Sequence, residues 1–160
     1  MIKINTEFLD PLSEKAKKLP RKRINYNFHS QADDLLQRML HGMEPHTYVR
    51  PHKHENPDKV EAFFCLRGRV AVVEFDAEGT IVDSIVLDNT TGNFGCEILP
   101  RTWHSIICLE PNSVVYEVKN GPYNPIDDKN FASWAPKEGD ENAVDFIDEI
   151  CRKLNFLQKL

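Results

Sequence analysis

The chain has 160 residues, of which 41% are hydrophobic and 28% charged, with a net charge of −5. That length suits one domain with a substantial core, and the composition is that of an ordinary globular protein. The acidic balance, with no long basic run, argues against a nucleic-acid partner.

The N-terminus, Met1-Ile2-Lys3-Ile4-Asn5, has no apolar signal core, and no run of roughly 18 apolar residues occurs. The expectation is a cytoplasmic protein with no membrane partner. Cys65, Cys96, Cys108 and Cys151 form no C-x-x-C pair, so reduced thiols are expected.

Residues 1–34 are polar and mixed. Asp10-Pro11 reads as an N-cap with proline at the first helical position, opening a short helix through Lys18. Leu19-Pro20 ends it, and Arg21 to His29 reads as an extended arm. Arg21, Lys22 and Arg23 form a basic cluster that suits a solvated face.

Residues 35–120 form a β zone. Leu35, Leu36, Met39, Leu40 and Met43 fit a helical face and a strand equally well, because a short apolar run carries no decisive period. Val70 to Phe75 and Thr80 to Leu87 are β-branched runs joined by the hairpin turn Asp76-Ala77-Glu78-Gly79. Asn89 to Gly92 is another turn. Trp103 to Leu109 and Ser113 to Lys119 flank a third, Glu110-Pro111-Asn112. Short strands at this spacing indicate an all-β sandwich or barrel.

Residues 121–160 complete what reads as a single domain. Gly121-Pro122-Tyr123-Asn124-Pro125 is a loop. Ala143, Val144, Phe146, Ile147, Ile150, Cys151, Leu154 and Leu157 then recur at helical spacing. This amphipathic helix either packs on the outside of the barrel or forms a homodimer contact.

The chemistry concentrates in Pro51-His52-Lys53-His54 and in Pro100-Arg101-Thr102-Trp103-His104, with Glu61 and Gly68 between them. On a strand, His52 and His54 project to the same side. Glu61 lies on the next strand, Gly68 lets that strand turn, and His104 can close the set from across the barrel. Three imidazoles and a carboxylate suit one divalent transition metal ion: Fe, Mn, Ni, Co, Zn or Cu. Such a set leaves coordination positions open for water or substrate.

Strand parity adds Tyr48 and Arg50 on the face of His52 and His54. Arg50 would hold a substrate carboxylate or phosphate, or else form a salt bridge at a strand end. Cys65 and Cys108 share the faces of Glu61 and His104 and read as buried core thiols. Tyr123, Lys129 and Trp134 lie on a segment that either folds over the barrel mouth as a lid or, through Phe131 and Trp134, plugs an open end. His29, His41 and His46 read as surface or core histidines, with His29 the one most apt to matter.

H-x-H, Glu and Gly at His52, His54, Glu61 and Gly68 resemble the first cupin motif, and Pro100 to His104 resembles the second. Six residues separate His54 from Glu61, more than is usual, and Thr102 stands where glycine is expected. These departures bear on Glu61 more than on the histidines. Over about residues 20–138 the chain is similar to the WbuC family of cupin-fold metalloproteins. The resemblance rests on Arg23 to His29, Tyr48 to His54, Trp103-His104, Gly121-Pro122-Tyr123 and Phe131 to Pro136.

The resemblance implies a mainly β protein, a single cupin (double-stranded β-helix, or jelly-roll) barrel with a short N-terminal helix and an amphipathic C-terminal helix. It also implies a bound metal, a link to bacterial surface-polysaccharide metabolism, and a strand for residues 36–44. Related cupins imply two enzyme classes: an isomerase or epimerase of a small polar or anionic, sugar-derived substrate, or an Fe(II)-dependent dioxygenase. In the enzyme readings Tyr48 or Tyr123 would move a proton. A non-catalytic protein that binds a metal or small ligand is the competing class, and an assembly subunit without metal a third. One fold hosts all of them.

Overall fold

Asn5, not Asp10, caps the first helix. In the computed structural model, which describes residues 1–123 and 130–156, helix α1 runs Thr6–Lys18, and the Asn5 side chain accepts from the N–H of Phe8 at 3.2 Å. Pro11 therefore lies inside the helix instead of opening it. Asparagine caps as well as aspartate does, and Asn5 is the residue whose oxygen reaches a first-turn donor.

The strands are β1 (Arg23–Asn27), β2 (Leu36–Met43), β3 (His52–Lys53), β4 (Glu61–Arg67), β5 (Val70–Phe75), β6 (Ile81–Leu87), β7 (Gly95–Ile98), β8 (Trp103–Cys108), β9 (Ser113–Asn120) and β10 (Asn130–Phe131). Helix α2, Ala143–Lys153, follows. The extended arm is thus an edge strand, the ambiguous segment is β2, and β7 is a strand not anticipated from the sequence.

Two five-stranded sheets form, in the orders β1-β2-β9-β4-β7 and β10-β3-β8-β5-β6. The strand pairs are antiparallel. Together with the two helices this is the cupin barrel. Among the described residues no helix is long and apolar enough to cross a membrane.

Both faces of each sheet are apolar, for different reasons. Met43, Phe63, Cys65, Val70, Val72 and Val115 belong to the core between the sheets. On the outer side of the first sheet, Leu40 and Val114 pack under Leu9 and Leu12 of α1. On the outer side of the second, Ala71, Val73, Phe75 and Ile107 pack under Ile147 and Ile150 of α2. Each such buried aliphatic side chain contributes about 1.5–3 kcal/mol, so the helices hold the sheets from outside while leaving the barrel interior free for polar work.

Two glycines set this arrangement. A Cβ on Gly42 would stand 3.0 Å from Leu12 Cγ, so its absence lets α1 lie close over β2. Gly68 turns the chain from β4 into β5 with φ +75°, and a Cβ there would meet the Cα of Ser113 at 2.8 Å.

Candidate metal centre

Four buried side chains converge at one end of the barrel: His52, His54, Glu61 and His104. Each offers a ligand atom, and these atoms all lie within 4.8 Å of one another. Register explains the convergence. His52 is the direct partner of His104 across β3 and β8, and Glu61 sits between Lys119 and Ile98 across β9 and β7.

The long spacer before Glu61 does not carry the carboxylate away. Residues 55–58 form turns, and Asn56 takes a left-handed conformation with φ 59°. Buried Lys59 donates to the Pro122 carbonyl at 2.5 Å, and the Val60 N–H donates to Asn120 Oδ1 at 2.9 Å. The extra residues are absorbed in that bulge, and β4 begins in register at Glu61. The missing glycine of the second motif is likewise accounted for. Arg101, not residue 102, takes the left-handed conformation, with φ 66°.

Glu61 Oε2 lies 3.0 Å from His104 Nε2 and 3.2 Å from His54 Nε2. Burial pushes the Glu61 carboxyl upward, but hydrogen bonds from His104 and His54 and the charge of Lys119 outweigh it and hold the group well below the usual carboxylate range. The far nitrogens of two rings are anchored on the backbone. His104 Nδ1 donates to the Thr102 carbonyl at 2.9 Å and His52 Nδ1 to the Arg50 carbonyl at 3.0 Å. Such anchoring fixes the tautomer and turns Nε2 toward the centre.

This donor set fits a metal ion. The His104 ring has an oxygen acceptor at each nitrogen, whereas a neutral imidazole has one N–H to give. A positive charge between Nε2 and Glu61 satisfies both sides. The ligand atoms already lie within 4.8 Å of one another, so modest side-chain shifts bring them to the bond lengths of about 2.0–2.2 Å that one cation needs.

The centre opens into a polar cavity. An inner space of about 90 Å³ is lined by His52, Glu61, His104, His41 and Glu117, among others. A wider mouth of about 420 Å³ shares Asn25, His41, Val49 and Glu117 with it and adds Gln37, Arg50 and Lys119.

Arg50 sits in that mouth. Its Nη2 donates to the Ala132 carbonyl at 2.6 Å, and its guanidinium lies 5.4 Å from the Phe131 ring centre. His29 and Tyr123 line the mouth too. The backbone N–H of Arg38 donates to His29 Nδ1 at 3.1 Å.

Tyr48 is elsewhere. Residues 44–51 pair as no strand, so the alternation that holds for His52 does not extend back to it. Its hydroxyl donates to the Pro136 carbonyl at 2.7 Å, and its ring joins the α2 cluster. Burial pushes its pKa up to about 12. Trp134 also packs in that outer cluster, against Phe75, Trp103 and Phe146. Lys129 lies outside the described residues. Cys65 and Cys108 are buried in the core between the sheets, and burial pushes their thiols up to about 11 and about 12.

From the sequence His41 reads as a surface or core histidine, and Glu117 and Lys119 belong to no motif. His41 Nε2 lies 2.5 Å from Glu117 Oε2, and Lys119 Nζ lies 3.3 Å from Glu117 Oε1 and 3.9 Å from Glu61 Oε1. A chain of ionisable side chains therefore runs across the barrel interior to Glu61. Its signal in the sequence is Val115-Tyr116-Glu117-Val118-Lys119, where the polar positions alternate with apolar ones.

Among solved structures the chain is similar to CapF, there with the inhibitor 3-isopropenyl-tropolone (17% identity, TM-score 0.56), matching 67% of this chain and 31% of that one. It is also similar to Cellulomonas parahominis L-ribose isomerase with L-psicose (13% identity, TM-score 0.53; 77% and 71% of the two chains). A third is oxalate oxidase with the substrate analogue glycolate (13% identity, TM-score 0.51; 71% and 57%). At these identities the likeness is one of fold, the cupin barrel. No curated protein sequence matches the chain. Residues 4–87, more than half of the sequence and including His52, His54 and Glu61, match the family described as "Domain of unknown function (DUF6016)", and the chain belongs to that family.

Proposed function

We propose that this protein is a metal-dependent enzyme acting on a small polar or anionic, sugar-derived substrate. His52, His54, Glu61 and His104 would hold one divalent transition metal ion. The observation that carries the reading is the buried cluster opening directly into a cavity lined by both polar and apolar side chains, where a structural site would be closed. A bound divalent ion supplies Lewis acidity at a carbonyl or hydroxyl oxygen.

The mouth selects the substrate. Arg21 and Arg23 share one carboxylate, Glu138, at 3.6 and 2.8 Å. Arg50 is held by a backbone carbonyl, and its charge has no acid partner among the described residues. The rim is thereby net positive and suits an anionic group, with Arg50 as its anchor. Gln37, Asn25 and Asn27 offer amides that match hydroxyl groups. His29 and Tyr123 border the same space as further substrate contacts.

The sugar and hydroxy-acid ligands of the isomerase and oxidase neighbours fit that chemistry. The sequence resemblance to the WbuC family supports a place in bacterial surface-polysaccharide metabolism.

Elemental analysis of the purified protein beside His52→Ala and His104→Ala tests the proposal. About one transition metal per chain is expected in the wild type, with strong loss in both variants. A wild type that takes up no transition metal, even after incubation with each candidate ion, overturns it.

A further inference from the structure

We infer that Glu117 and His41 form a proton-transfer pair, and that the substrate is a 2-hydroxy aldehyde or ketone of the sugar class whose carbon-bound hydrogen this pair moves. The inference rests on the metal-enzyme reading above and adds to it a catalytic group and a reaction class.

The pair is built as an acid–base device. His41 is clamped between two oxygens: Nδ1 lies 3.0 Å from Asn25 Oδ1, and Nε2 lies 2.5 Å from Glu117 Oε2. A hydrogen bond therefore joins Nε2 to Oε2 and gives a proton a direct path between the two side chains. Glu117 Oε1 is buried and accepts no hydrogen bond among the described residues, with Lys119 Nζ as its ion-pair neighbour at 3.3 Å. It is an acceptor held ready by its surroundings. Both residues line the inner space that holds His52, Glu61 and His104, and both line the mouth.

A purely structural ion pair has no need of such a place. A general base must stand within reach of the proton it takes, and a cavity shared with the metal cluster provides that reach. The mouth, about 420 Å³ with amide and hydroxyl-matching walls, accommodates a five- or six-carbon sugar.

The step balances without an oxidant. Glu117 Oε1 takes the proton from C2 of the hydroxy aldehyde. The C–H electron pair becomes the C1–C2 double bond, and the carbonyl pair moves to O1. The O2 hydroxyl proton passes to O1. Glu117 then returns a proton to C1, and O2 becomes the new carbonyl. One hydrogen has moved from C2 to C1 and one from O2 to O1, so the product is the isomeric ketose. His41 exchanges the proton with solvent through the mouth.

Deuterium uptake tests this. Metal-loaded wild-type protein is incubated in D2O with a panel of free and phosphorylated aldoses, and carbon-bound deuterium at C1 or C2 is read by NMR. The expected result is uptake into at least one sugar, slowed by about 10²-fold or more in Glu117→Gln and in His41→Asn, with metal content unchanged in the variants that fold. Asn25→Ala, on the exposed edge strand, is the variant safest for folding and is expected to slow uptake about tenfold.

Uptake in Glu117→Gln within threefold of wild type overturns the pair. If Glu117→Gln fails to fold, the same outcome in Asn25→Ala overturns it. No uptake into any sugar by protein shown to carry its metal overturns the reaction class and leaves the metal reading standing. A wild type without metal overturns the earlier reading and this inference together.

Discussion

The backbone N–H of Arg101 donates to the carbonyl of His54 at 3.0 Å, stitching the loop before His104 to the strand end that carries the H-x-H pair. Arg101 reaches this position in a left-handed conformation, and its guanidinium lies on Asp58 at 2.9 and 3.2 Å. The backbone bond, not the exposed ion pair, adds to the His52–His104 pairing of β3 and β8 in holding the two motifs together.

Arg101→Gly is therefore expected to leave the urea midpoint nearly unchanged. Relief of left-handed strain offsets the loss of a surface ion pair. Arg101→Pro removes the donor and forbids the conformation, and is expected to cost about 3 kcal/mol or more and to lower metal content. Urea denaturation with elemental analysis reads both.

Gly68→Ala should be among the most damaging small substitutions in the barrel. The added Cβ meets Ser113 Oγ at 2.3 Å and its Cα at 2.8 Å, and the position needs φ +75°. A loss of about 2–4 kcal/mol is expected from strain and overpacking together. A midpoint unchanged in urea would show that the turn can draw away from Ser113 without cost.

Tyr48→Phe separates a structural tyrosine from a catalytic one. Its hydroxyl serves the Pro136 carbonyl, away from the cavity. The expected cost is about 1 kcal/mol of stability, with metal content and deuterium uptake unchanged. A loss of uptake at unchanged stability would place the residue in the site.

The thiols predict a pH response. Cys108 ionises at about 12 in the fold against an ordinary 9.0, because burial disfavours the thiolate. Above the ordinary value the unfolded chain loses its proton while the folded one keeps it. Stability is thus fully present below about pH 9 and falls as pH rises toward about 12. Cys108→Ser should flatten that decline. In the folded protein at pH 8 the thiolate fraction of Cys108 is lower than that of a free thiol by about 10³-fold, so alkylation of Cys108 should await denaturation.

Glu61→Gln keeps shape and removes charge. Two histidines and Lys119 hold that charge in place, so the variant is expected to lose at least about tenfold in metal affinity, read by equilibrium dialysis. Unchanged affinity would reassign the carboxylate to a role outside the ligand set.

Much of this was legible locally. The turn at Asp76 to Gly79, the β-branched runs beside it and the H-x-H spacing each depend on neighbours within a few residues, and the structure places strands β5 and β6 where the runs stand. What the sequence alone could not decide was which face of a strand looks inward. In β9, Val114 and Tyr116 lie toward α1, while Glu117 and Lys119 line the cavities. Because helices cover both sheets from outside, each strand carries apolar residues on both faces, and alternation loses its sign.

Parity also fails where pairing stops, which is how Tyr48 leaves the face of His52. The sequence by itself determined the β-branched strands β5 and β6, their hairpin and the candidate set His52, His54, Glu61 and His104, since these follow from local period and residue chemistry. Only the tertiary structure decided that His41 and Glu117 face the same interior, because β2 and β9 are brought side by side by a pairing between residues 76 positions apart.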